Sequence, residues 1–505
     1  MFKSLLNETA KIANLGMVSD IVVDEKYILD EIKQFRHSVK RKAMFDGEKY
    51  YAGVHDILNR QRTVIGEDGG LEVVENLPNN RIVDNQYKKM VDQKNNYLLG
   101  QPLTIRCENK AYEKQLKQVF NKKFQRLLKS VGEDSLNGGL GWMFIHYDEH
   151  GELTFKRFKP FEIIPGWKDA DHTVLDYAIR IYEVVVYEGK QKKVIEKVEV
   201  YDDKGISYFE MTNSGSLIPA APYFQNYFTM ATDEGVEVGY NWTKIPLIAF
   251  KYNPKEIPLI KMVKSLQDGL NMIESNFQNA MEEDTRNTIL VLKNYDGQNL
   301  GEFRKNLAQF GAVKVRTVDG ADGDVGTLQI EVNSENYKAI LEIFKKAIIE
   351  NAMGYDAKDD RLAGNPNQMN IQSMYSDIDL DANSMETEYQ ASFEELLWFI
   401  NCHLANHGMG DFEGEEAEII FNRDILISEG EVIDNVNKSQ DLSLESRLAQ
   451  HPWVDDVQAE LDRINKEKEE NMEQYGLAFP SGDNGQNGQF GQAGKIEEGK
   501  EDIED

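Results

Sequence analysis

The sequence has little cysteine and no long apolar run. Its 505 residues include only two cysteines, Cys107 and Cys402, too few for a disulfide framework or a four-thiolate metal site. No segment approaches the ~20 consecutive apolar residues that a membrane-spanning helix needs. The opening MFKSLLNETAKIANLG lacks the long apolar segment and the cleavage site of a signal peptide. We therefore expect a protein made inside the cell that neither is secreted nor enters a membrane.

Positive charge is also scarce. The chain carries 57 Lys and Arg against 87 Asp and Glu, a formal net charge of −30 at pH 7. This excess of carboxylates repels nucleic-acid phosphates, so we expect no tight sequence-specific binding of DNA or RNA, whereas transient contact with DNA stays open. The 41% hydrophobic content is enough for several packed units, which excludes a fully disordered chain.

The motifs of common enzymes are missing as well. The sequence contains no nucleophile elbow, no dinucleotide fingerprint and no catalytic-cysteine signature. The segment GQFGQAGK, which ends at Lys495, has neither the glycine spacing nor the Ser/Thr of a phosphate-binding loop. The sequence therefore predicts no catalytic residue and no cofactor.

Two groups of potential metal ligands need an interpretation. His403 and His407 have the spacing by which two helical imidazoles share a metal, but HLANH lacks the glutamate of a zinc protease. We interpret them as ordinary histidines at a helix end. In DGADGDVG, Asp319, Asp322 and Asp324 do not match the alternating ligands of a calcium loop. We interpret them as a solvated turn, and a cation bound between subunits stays an open alternative.

Hydrophobic periodicity predicts an α+β protein. Apolar residues at steps of three and four indicate helices over about 24–44, 81–98 and 110–130. Between 141 and 250, β-branched and aromatic runs separated by Gly- or Asp-containing turns indicate an antiparallel meander. Strands inside an otherwise helical chain define the α+β class.

A second helical region follows the strands. Apolar residues from Leu259 to Ala280 recur at alternating steps of four and three, a narrow seam typical of helices that pack along one line. The opposite face carries six polar residues: Gln267, Asp268, Asn271, Glu274, Gln278 and Glu282. A short α/β segment, a helix that begins near Ser334 and a helix over about 370–404, roughly 50 Å long, come next. The period is helical again over 428–475, with a break at Pro452.

Two stretches of the N-terminal half carry a family resemblance. YYAGVHDILNR at 50–60 and NNRIVDNQYKKMVDQKNNYLLGQPLTI at 79–105 resemble the portal proteins of tailed bacteriophages, in the branch of long-tailed phages of Gram-positive hosts. The order of predicted elements over about 25–475 is similar too. The resemblance implies the portal fold and a ring at one capsid vertex, twelvefold in the capsid, through which DNA is packaged and ejected.

The resemblance also implies four parts, called wing, stem, clip and crown. They follow one another along the chain with these expected bounds: wing 1–257, stem helix 258–284, clip 285–333, stem helix 334–354, tunnel loop 355–369, long wing helix 370–407, crown 408–478 and a disordered acidic tail 479–505. Disorder of the tail is expected because Gly, Gln, Asn and acidic residues replace apolar ones there.

Two sets of site residues follow from the resemblance. The stem helices would pack through Leu266, Leu270, Ile273, Phe277, Ile340, Phe344 and Ile348, contacts that a plain helical hairpin within one chain explains equally well. Their polar faces would meet neighbouring subunits or the channel. The DNA-facing tunnel loop would contain Arg361, Gly364, Asn365, Pro366, Asn367 and Gln368, whose amides offer uncharged polar contacts to DNA and whose Gly-Asn-Pro centre allows a non-helical path. Arg361 would either meet phosphate or pair with Asp359 or Asp360.

The expected partners are those of a portal. They are a homo-oligomeric ring, double-stranded DNA in transit without sequence specificity, the terminase packaging motor, the major capsid and scaffolding proteins, and the head–tail adaptor. The expected location is the portal vertex of the virion, after synthesis in the host cytoplasm. The alternatives are another head-completion structural protein or a DNA-processing enzyme; the enzyme would need clustered carboxylates for two metal ions, and the sequence shows none.

Overall fold

The computed structural model describes most residues between 24 and 477. The described ranges are 24–65, 68–75, 77–189, 191–231, 237–284, 289–293, 324–328, 334–357, 368–423, 429–454 and 457–477. The chain divides into two compact units, one of 1–365 with 369–426 and one of 366–368 with 427–505. The predicted tail at 479–505 lies outside the described residues.

Long helices form the frame of the first unit. Its described α-helices are α1 (Glu25–Arg36), α2 (Val39–Tyr51), α3 (Gln86–Leu99), α4 (Lys110–Val119), α5 (Lys122–Gly138), α6 (Ile260–Asp284), α7 (Ser334–Asn351) and α8 (Gln368–Asn406). With 39 residues, α8 is about 58 Å long at 1.5 Å per residue. In the described residues no helix is both long and apolar enough to cross a membrane.

Two predicted helices are each divided in two, so the predictions of unbroken helices over 24–44 and 110–130 were wrong. At the first break the Ser38 hydroxyl accepts a hydrogen bond from the Arg41 N–H at 3.1 Å and caps α2. At the second, Asn121 accepts from the N–H groups of Lys123 and Phe124 and caps α5. Each cap starts a new helix, and the apolar period runs on across both breaks.

The strands pair only with antiparallel neighbours in the described residues. Their bounds are β1 (Thr63–Ile65), β2 (Leu71–Val73), β3 (Thr104–Cys107), β4 (Leu140–Tyr147), β5 (Leu153–Phe158), β6 (Ile163–Trp167), β7 (Leu175–Glu188), β8 (Gln191–Asp202), β9 (Gly205–Met211), β10 (Leu217–Gln225), β11 (Phe228–Ala231), β12 (Glu237–Tyr240), β13 (Leu247–Lys251), β14 (Ile289–Lys293), β15 (Asp324–Leu328) and β16 (Ala417–Ile420). The largest sheet has the order β10-β9-β8-β7-β6, and a second has the order β13-β4-β5. The predicted meander and the α+β class are confirmed.

The largest core surrounds α8 and lies between helices and the β13-β4-β5 sheet. Tyr389 and Phe393 of α8 are almost fully buried and pack edge to face against Phe250 of β13. Tyr87 of α3 and Leu270 of α6 belong to the same core. The helices that frame the site described below are therefore joined to the sheet by one apolar interior.

The second unit is helical where it is described. Its helices are α9 (Glu429–Lys438), α10 (Leu444–Ala449) and α11 (Val457–Leu477). The interval between α10 and α11 includes Pro452, as the helical period with a break at this residue predicted. The N-cap of α10 is Ser443, whose hydroxyl accepts from the Ser446 N–H at 3.2 Å.

Candidate functional site: the α6–α7 pair and its anchor on α3

One face of α6 carries polar side chains that water does not reach. Gln267, Asn271, Ser275 and Asn279 are spaced by four residues and are 0–1% exposed. We call these four residues the amide ladder. Residues four apart lie on the same side of a helix, so the ladder presents one continuous row of hydrogen-bonding groups along α6.

The lower half of the ladder binds the start of α3. The Gln267 carbonyl oxygen accepts from the Tyr87 N–H at 2.9 Å, and its amide donates to the Asp84 carbonyl at 2.7 Å. The Asn271 carbonyl oxygen accepts from the Asp84 N–H at 3.1 Å and from the Gln267 amide at 3.0 Å. The Gln267 amide therefore uses both of its N–H donors, and the bonds to the backbone and between the two side chains fix their orientation.

The upper half binds the residues before Asp84 in the same way. The Ser275 hydroxyl accepts from the Ile82 N–H at 2.9 Å, and the Asn279 carbonyl oxygen accepts from the Asn80 N–H at 2.7 Å. The Asn80 side chain also donates to Asn279 at 3.0 Å. The backbone N–H groups of residues 80, 82 and 84 thus all bind side chains of α6.

The two spacings match geometrically. Two residues of extended chain advance about 6.6 Å, and four residues of helix advance about 6 Å. Alternate N–H groups of the segment 80–84 therefore meet every fourth residue of α6. This pairing keeps the segment extended, so the helix predicted over 81–98 begins only at Gln86, with Asn85 capping it through the Lys88 N–H at 2.9 Å.

A buried histidine continues the ladder on its other side. The Asn271 amide donates to His55 Nδ1 at 2.7 Å, and His55 Nε2 lies 3.0 Å from the Tyr50 carbonyl. Because the first bond requires Nδ1 to accept, the ring is neutral with its proton on Nε2. Burial lowers the pKa of His55. Both stretches that carried the family resemblance therefore lie against α6.

The opposite side of α6 packs on α7. Leu270 and Ile348 are fully buried, and Leu266 and Phe344 pack at the edge of the same core. A side chain at Gly269 would put its Cβ 2.5 Å from Phe344 Cε1, so glycine is what lets the ring approach.

Three other predicted packing residues lie toward the far end of the pair. The Phe277 ring is half-buried and 4.8 Å from the Tyr337 ring of α7. Ile273 is half-buried, whereas Ile340 remains 41% exposed in the single chain. The packing is therefore tight at the end near the core and loose at the other.

Lys345 of α7 pairs with carboxylates of the segment 80–84 and of α6. Lys345 Nζ lies 2.7 Å from Asp84 and 3.6 Å from Glu274. Burial raises the pKa of Glu274 and the nearby charge of Asp84 adds to this, while the pKa of Asp84 is lowered because the bonds to Lys345 and Gln86 outweigh its burial. The cation thus stabilises one ionised carboxylate at the junction of α6, α7 and the 80–84 segment.

These contacts correct one expectation from the sequence. Gln267 and Asn271 were placed on a polar face open to neighbours or to a channel, and they are buried within their own chain. Asp268 and Glu274 of that face also have partners in the chain, Lys264 at 2.9 Å and Lys345. The uncharged polar residues of the ladder recur every four positions in the sequence, and this repeat is the signal that could have revealed it.

Next to the ladder, α3 holds the chain just after α7. The Gln93 amide donates to the Tyr355 carbonyl at 2.9 Å and accepts from the Tyr355 N–H at 3.1 Å. Lys94 is buried and donates to the Met353 carbonyl at 3.1 Å. Met353 has a positive φ of 51°, a conformation that turns the chain out of α7 directly over α3.

The same helix holds α8 at about one third of its length. Lys94 forms an ion pair with Asp381 at 2.6 Å, and the Tyr252 hydroxyl donates to the same carboxylate at 2.9 Å. Burial lowers the pKa of Lys94, although the charge of Asp381 opposes this. Tyr97 donates to Asp379, two residues earlier in α8.

Aromatic rings pack together between the attachment of Tyr355 to α3 and the attachment of α8 to α3. The Tyr375 ring of α8 lies 4.6 Å from the Tyr355 ring and 5.9 Å from the Tyr97 ring. The residues on either side of 358–367 are thus fixed on one helix.

The predicted tunnel-loop residues Arg361, Gly364, Asn365, Pro366 and Asn367 lie outside the described residues. Gln368 is the first residue of α8. Asp319 and Asp322 also lie outside the described part, and Asp324 begins β15.

The two histidines at the end of α8 pack on an aromatic ring. Their rings are 4.2 Å apart, and His403 Nδ1 is 3.2 Å from the Tyr147 hydroxyl. Burial and the neighbouring His407 lower the pKa of His403 to about 4. In the described ranges no group of three or more His, Cys, Asp or Glu side chains is placed to hold a metal ion.

The site is a structural one, made of packed helices, saturated amides and paired charges. A family model described as "Phage portal protein, SPP1 Gp6-like" matches residues 30–474, which cover every part of it. The chain therefore belongs to the SPP1 Gp6-like family of phage portal proteins. This confirms the family resemblance and the portal function that it implied.

Two relatives show how far the similarity extends. The portal protein of Bacillus phage SPP1 is 28% identical over 437 residues, which are 86% of this chain and 85% of that protein. The portal protein of Clostridium phage phiCD119 is 28% identical over 437 residues, 83% of this chain and 91% of that protein. Both relatives come from phages of Gram-positive hosts, as expected.

Proposed function

We propose that the protein is the subunit of a homo-oligomeric ring, twelvefold in the capsid, at one vertex of a phage head. The ring's channel carries double-stranded DNA during packaging and ejection. The observation that carries this proposal is the family match over residues 30–474, which begins in α1 and ends in α11.

We assign the parts of the portal as the sequence suggested. The α6–α7 pair is the stem, with the clip at 285–333 between its helices. The wing is 1–257 with α8, and the crown is 408–478. The assignment is supported by the packing of α6 on α7 through Leu270 and Ile348 and by the anchoring of both helices on the segment 80–84.

The tunnel loop is 355–369, and it acts on DNA in transit. Support comes from its flanks: Gln93 of α3 holds Tyr355 at the first end, and Lys94 and Tyr97 hold Asp381 and Asp379 in the part of α8 that follows the second end. A segment that contacts a moving polymer needs fixed supports and weak contacts. The amides of Asn365, Asn367 and Gln368 would provide such contacts, because few counterions are displaced where few cations meet phosphate.

The remaining partners follow from the same role. The ring is a docking platform for the terminase motor, the major capsid and scaffolding proteins and the head–tail adaptor, and no membrane is involved. The motor supplies the energy of translocation, so this chain is a structural component without ATPase or nuclease activity. Pure protein incubated with Mg²⁺ and either ATP or DNA should show no turnover; turnover abolished by a point mutation in this chain would contradict this.

The loop is tested by the triple variant Asn365→Ala, Asn367→Ala and Gln368→Ala. Thermal unfolding should change by less than about 0.5 kcal/mol per site, and rings should form as in the wild type. The length or yield of packaged DNA should fall. A control with Asn213→Ala and Ser214→Ala, in the exposed turn between β9 and β10, should package normally.

The outcomes separate the parts of the proposal. Wild-type protein that never forms a ring, by native mass and by electron microscopy along the axis, contradicts the portal assembly itself. Triple-variant rings that package DNA of full length and yield contradict only the role of the loop. Triple-variant chains that fail to assemble show that the loop is structural.

A further inference from the structure

The end of the β7–β8 hairpin extends beyond the sheet that carries it. β6 pairs with β7 only as far as Arg180, and β9 pairs with β8 only as far as Glu196. Beyond these points β7 and β8 continue together for five more pairs, from Val184↔Ile195 to Glu188↔Gln191. We call the paired residues 184–188 and 191–195 the ribbon. It is about 17 Å long, and in the described part of the chain no third strand flanks it.

The ribbon carries apolar side chains on both faces. Val185 and Val194 are directly opposite each other and are 46% and 53% exposed, and Tyr187 on the same face is 69% exposed. Val184 and Ile195 form the facing pair on the other side and are half-buried. None of these five residues belongs to a core of the described chain. Isolated two-stranded hairpins are at best marginally stable in water, and open strand edges invite pairing.

The ribbon is also basic in an acidic protein. Its described residues include Lys192 and Lys193 and one acidic residue, Glu188, while the whole chain has a net charge of −30. A surface that complements the ribbon is therefore acidic with an apolar centre. Another copy of this chain offers an acidic surface at high local concentration in any ring.

The base of the ribbon is fixed to the body of the protein. Arg36 of α1 forms an ion pair with Glu196, the last residue of β8 that β9 also pairs. Just below it, Ile181 and Val198 are opposite each other and buried in the sheet's core. The ribbon is thus held in one direction before it meets a partner, which lowers the entropic cost of binding.

We propose that the ribbon docks on the acidic surface of a neighbouring copy of this chain and holds adjacent subunits together. This inference rests on the proposed ring. The Val185–Val194 pair and Tyr187 supply the buried centre of the contact, and the lysines supply its charged rim. DNA is the less favoured occupant, because valine and tyrosine side chains dominate the exposed face.

The first experiment locates the partner directly. Tyr187 is replaced by the photoreactive amino acid p-benzoylphenylalanine in both ¹⁴N- and ¹⁵N-labelled chains, which are mixed before assembly and irradiated as rings. We expect a product of twice the chain mass whose crosslinked peptides combine both isotopes. The same sample irradiated in urea should give no such product. Crosslinks found only within one chain, only to DNA or only to another protein would overturn the proposal.

The second experiment measures the contribution to assembly. In the variant Val185→Thr with Val194→Thr, the strands keep β-branched residues but lose two methyl groups from the contact. We expect the subunit concentration at which half the rings dissociate to rise at least about tenfold, with thermal unfolding of the separated subunit little changed. Lys192→Glu should act in the same direction, and its effect should shrink in high salt.

A matched control tests whether the effect on ring dissociation is specific to the ribbon. Val174→Thr with Ile218→Thr changes two apolar residues of similar exposure outside the ribbon and should leave ring dissociation unchanged. Equal effects of the two double variants, or no effect of either, would contradict the ribbon contact. Failure of the wild type to form rings would instead contradict the proposed portal assembly, so the two failures are distinguishable.

Discussion

The two sides of α6 are held by different physical interactions. Toward α7, Leu270 and its neighbours are buried by apolar packing, which depends on volume and has no direction. Toward the segment 80–84, the amide ladder uses hydrogen bonds of 2.7–3.1 Å, each with one donor and one acceptor in fixed positions. The apolar packing toward α7 tolerates a small shift with little loss of stability. The hydrogen bonds toward the segment 80–84 are all formed in one register only.

This difference assigns distinct tasks to the two sides. A ladder that pairs alternate backbone groups with every fourth helical residue fixes α6 lengthwise, because a shift by one residue would leave every buried group unpaired. The apolar seam contributes cohesion and leaves room for small adjustments between α6 and α7. We therefore expect substitutions on the two sides to differ in kind as well as in size.

The largest effect should come from the apolar side. Leu270→Ala removes a fully buried side chain and should lower the free energy of unfolding by about 2–5 kcal/mol, since the cavity adds to the lost transfer energy. Met272→Ala, two residues along the same helix and exposed, should cost far less. Chemical denaturation measures both, and equal costs would show that the seam is not tightly packed.

The next effect tests a single rung of the ladder. Ser275→Ala changes volume little but leaves the buried Ile82 N–H without its acceptor, which should cost about 1–3 kcal/mol. Ser265→Ala, at an exposed position of α6, serves as the control and should be neutral or slightly stabilising. Hydrogen exchange of the Ile82 amide should accelerate only in the first variant. An unchanged exchange rate would mean that the rung is not a real constraint.

A smaller effect is expected where the seam is loose. Phe277→Leu removes a ring pair worth about 0.5–1.5 kcal/mol beyond its buried area, at a half-buried site where the chain can relax. Tyr337→Phe keeps both rings and should change the stability very little. If Phe277→Leu costs as much as Leu270→Ala, the seam is uniform along its length and the contrast between its two ends disappears.

The smallest effect is expected in the pH dependence of stability, through His55 on the polar side of α6. Because the pKa of His55 is lowered in the folded protein, the unfolded chain binds its proton at a higher pH than the folded one. The stability contributed by neutral His55 is therefore complete above about pH 6.5 and is lost as the pH falls below it. His55→Leu should be less stable at neutral pH but should lose less stability between pH 7.5 and 5.5. His150→Leu, in an exposed turn, should keep the wild-type slope.

Sequence periodicity predicted the apolar side well and the polar side poorly. Leu259, Val263 and Leu270 recur at the predicted spacing and are fully buried, because apolar burial follows directly from helical geometry. Gln267 and Asn271 were predicted to face outward, since polarity alone does not reveal a backbone partner 180 residues away in sequence. Residues 81–84 of the extended segment were predicted as helix for the same reason: N–H groups of this segment bind α6, and nothing local shows this.

Local signals were overlooked at two other places. Ser38 and Asn121 are good N-cap residues, and each starts a new helix within a stretch that the apolar pattern predicted as one helix. For the loop at 355–369, the sequence suggested a non-helical chain but not its supports. Gln93 and Lys94 lie in the stretch that first indicated the family, and only the folded chain brings them to Tyr355 and Asp381.

The attachments on α3 have a mechanical consequence. Both flanks of the loop are bound to α3, so part of a load applied to the loop passes into this helix. The chain of α3 continues through 80–84 into the rungs on α6. A pull on the loop would therefore enter α7 and α8 along the chain, and α3 would share this load through its bonds to Tyr355, Asp379 and Asp381 and pass part of it to α6.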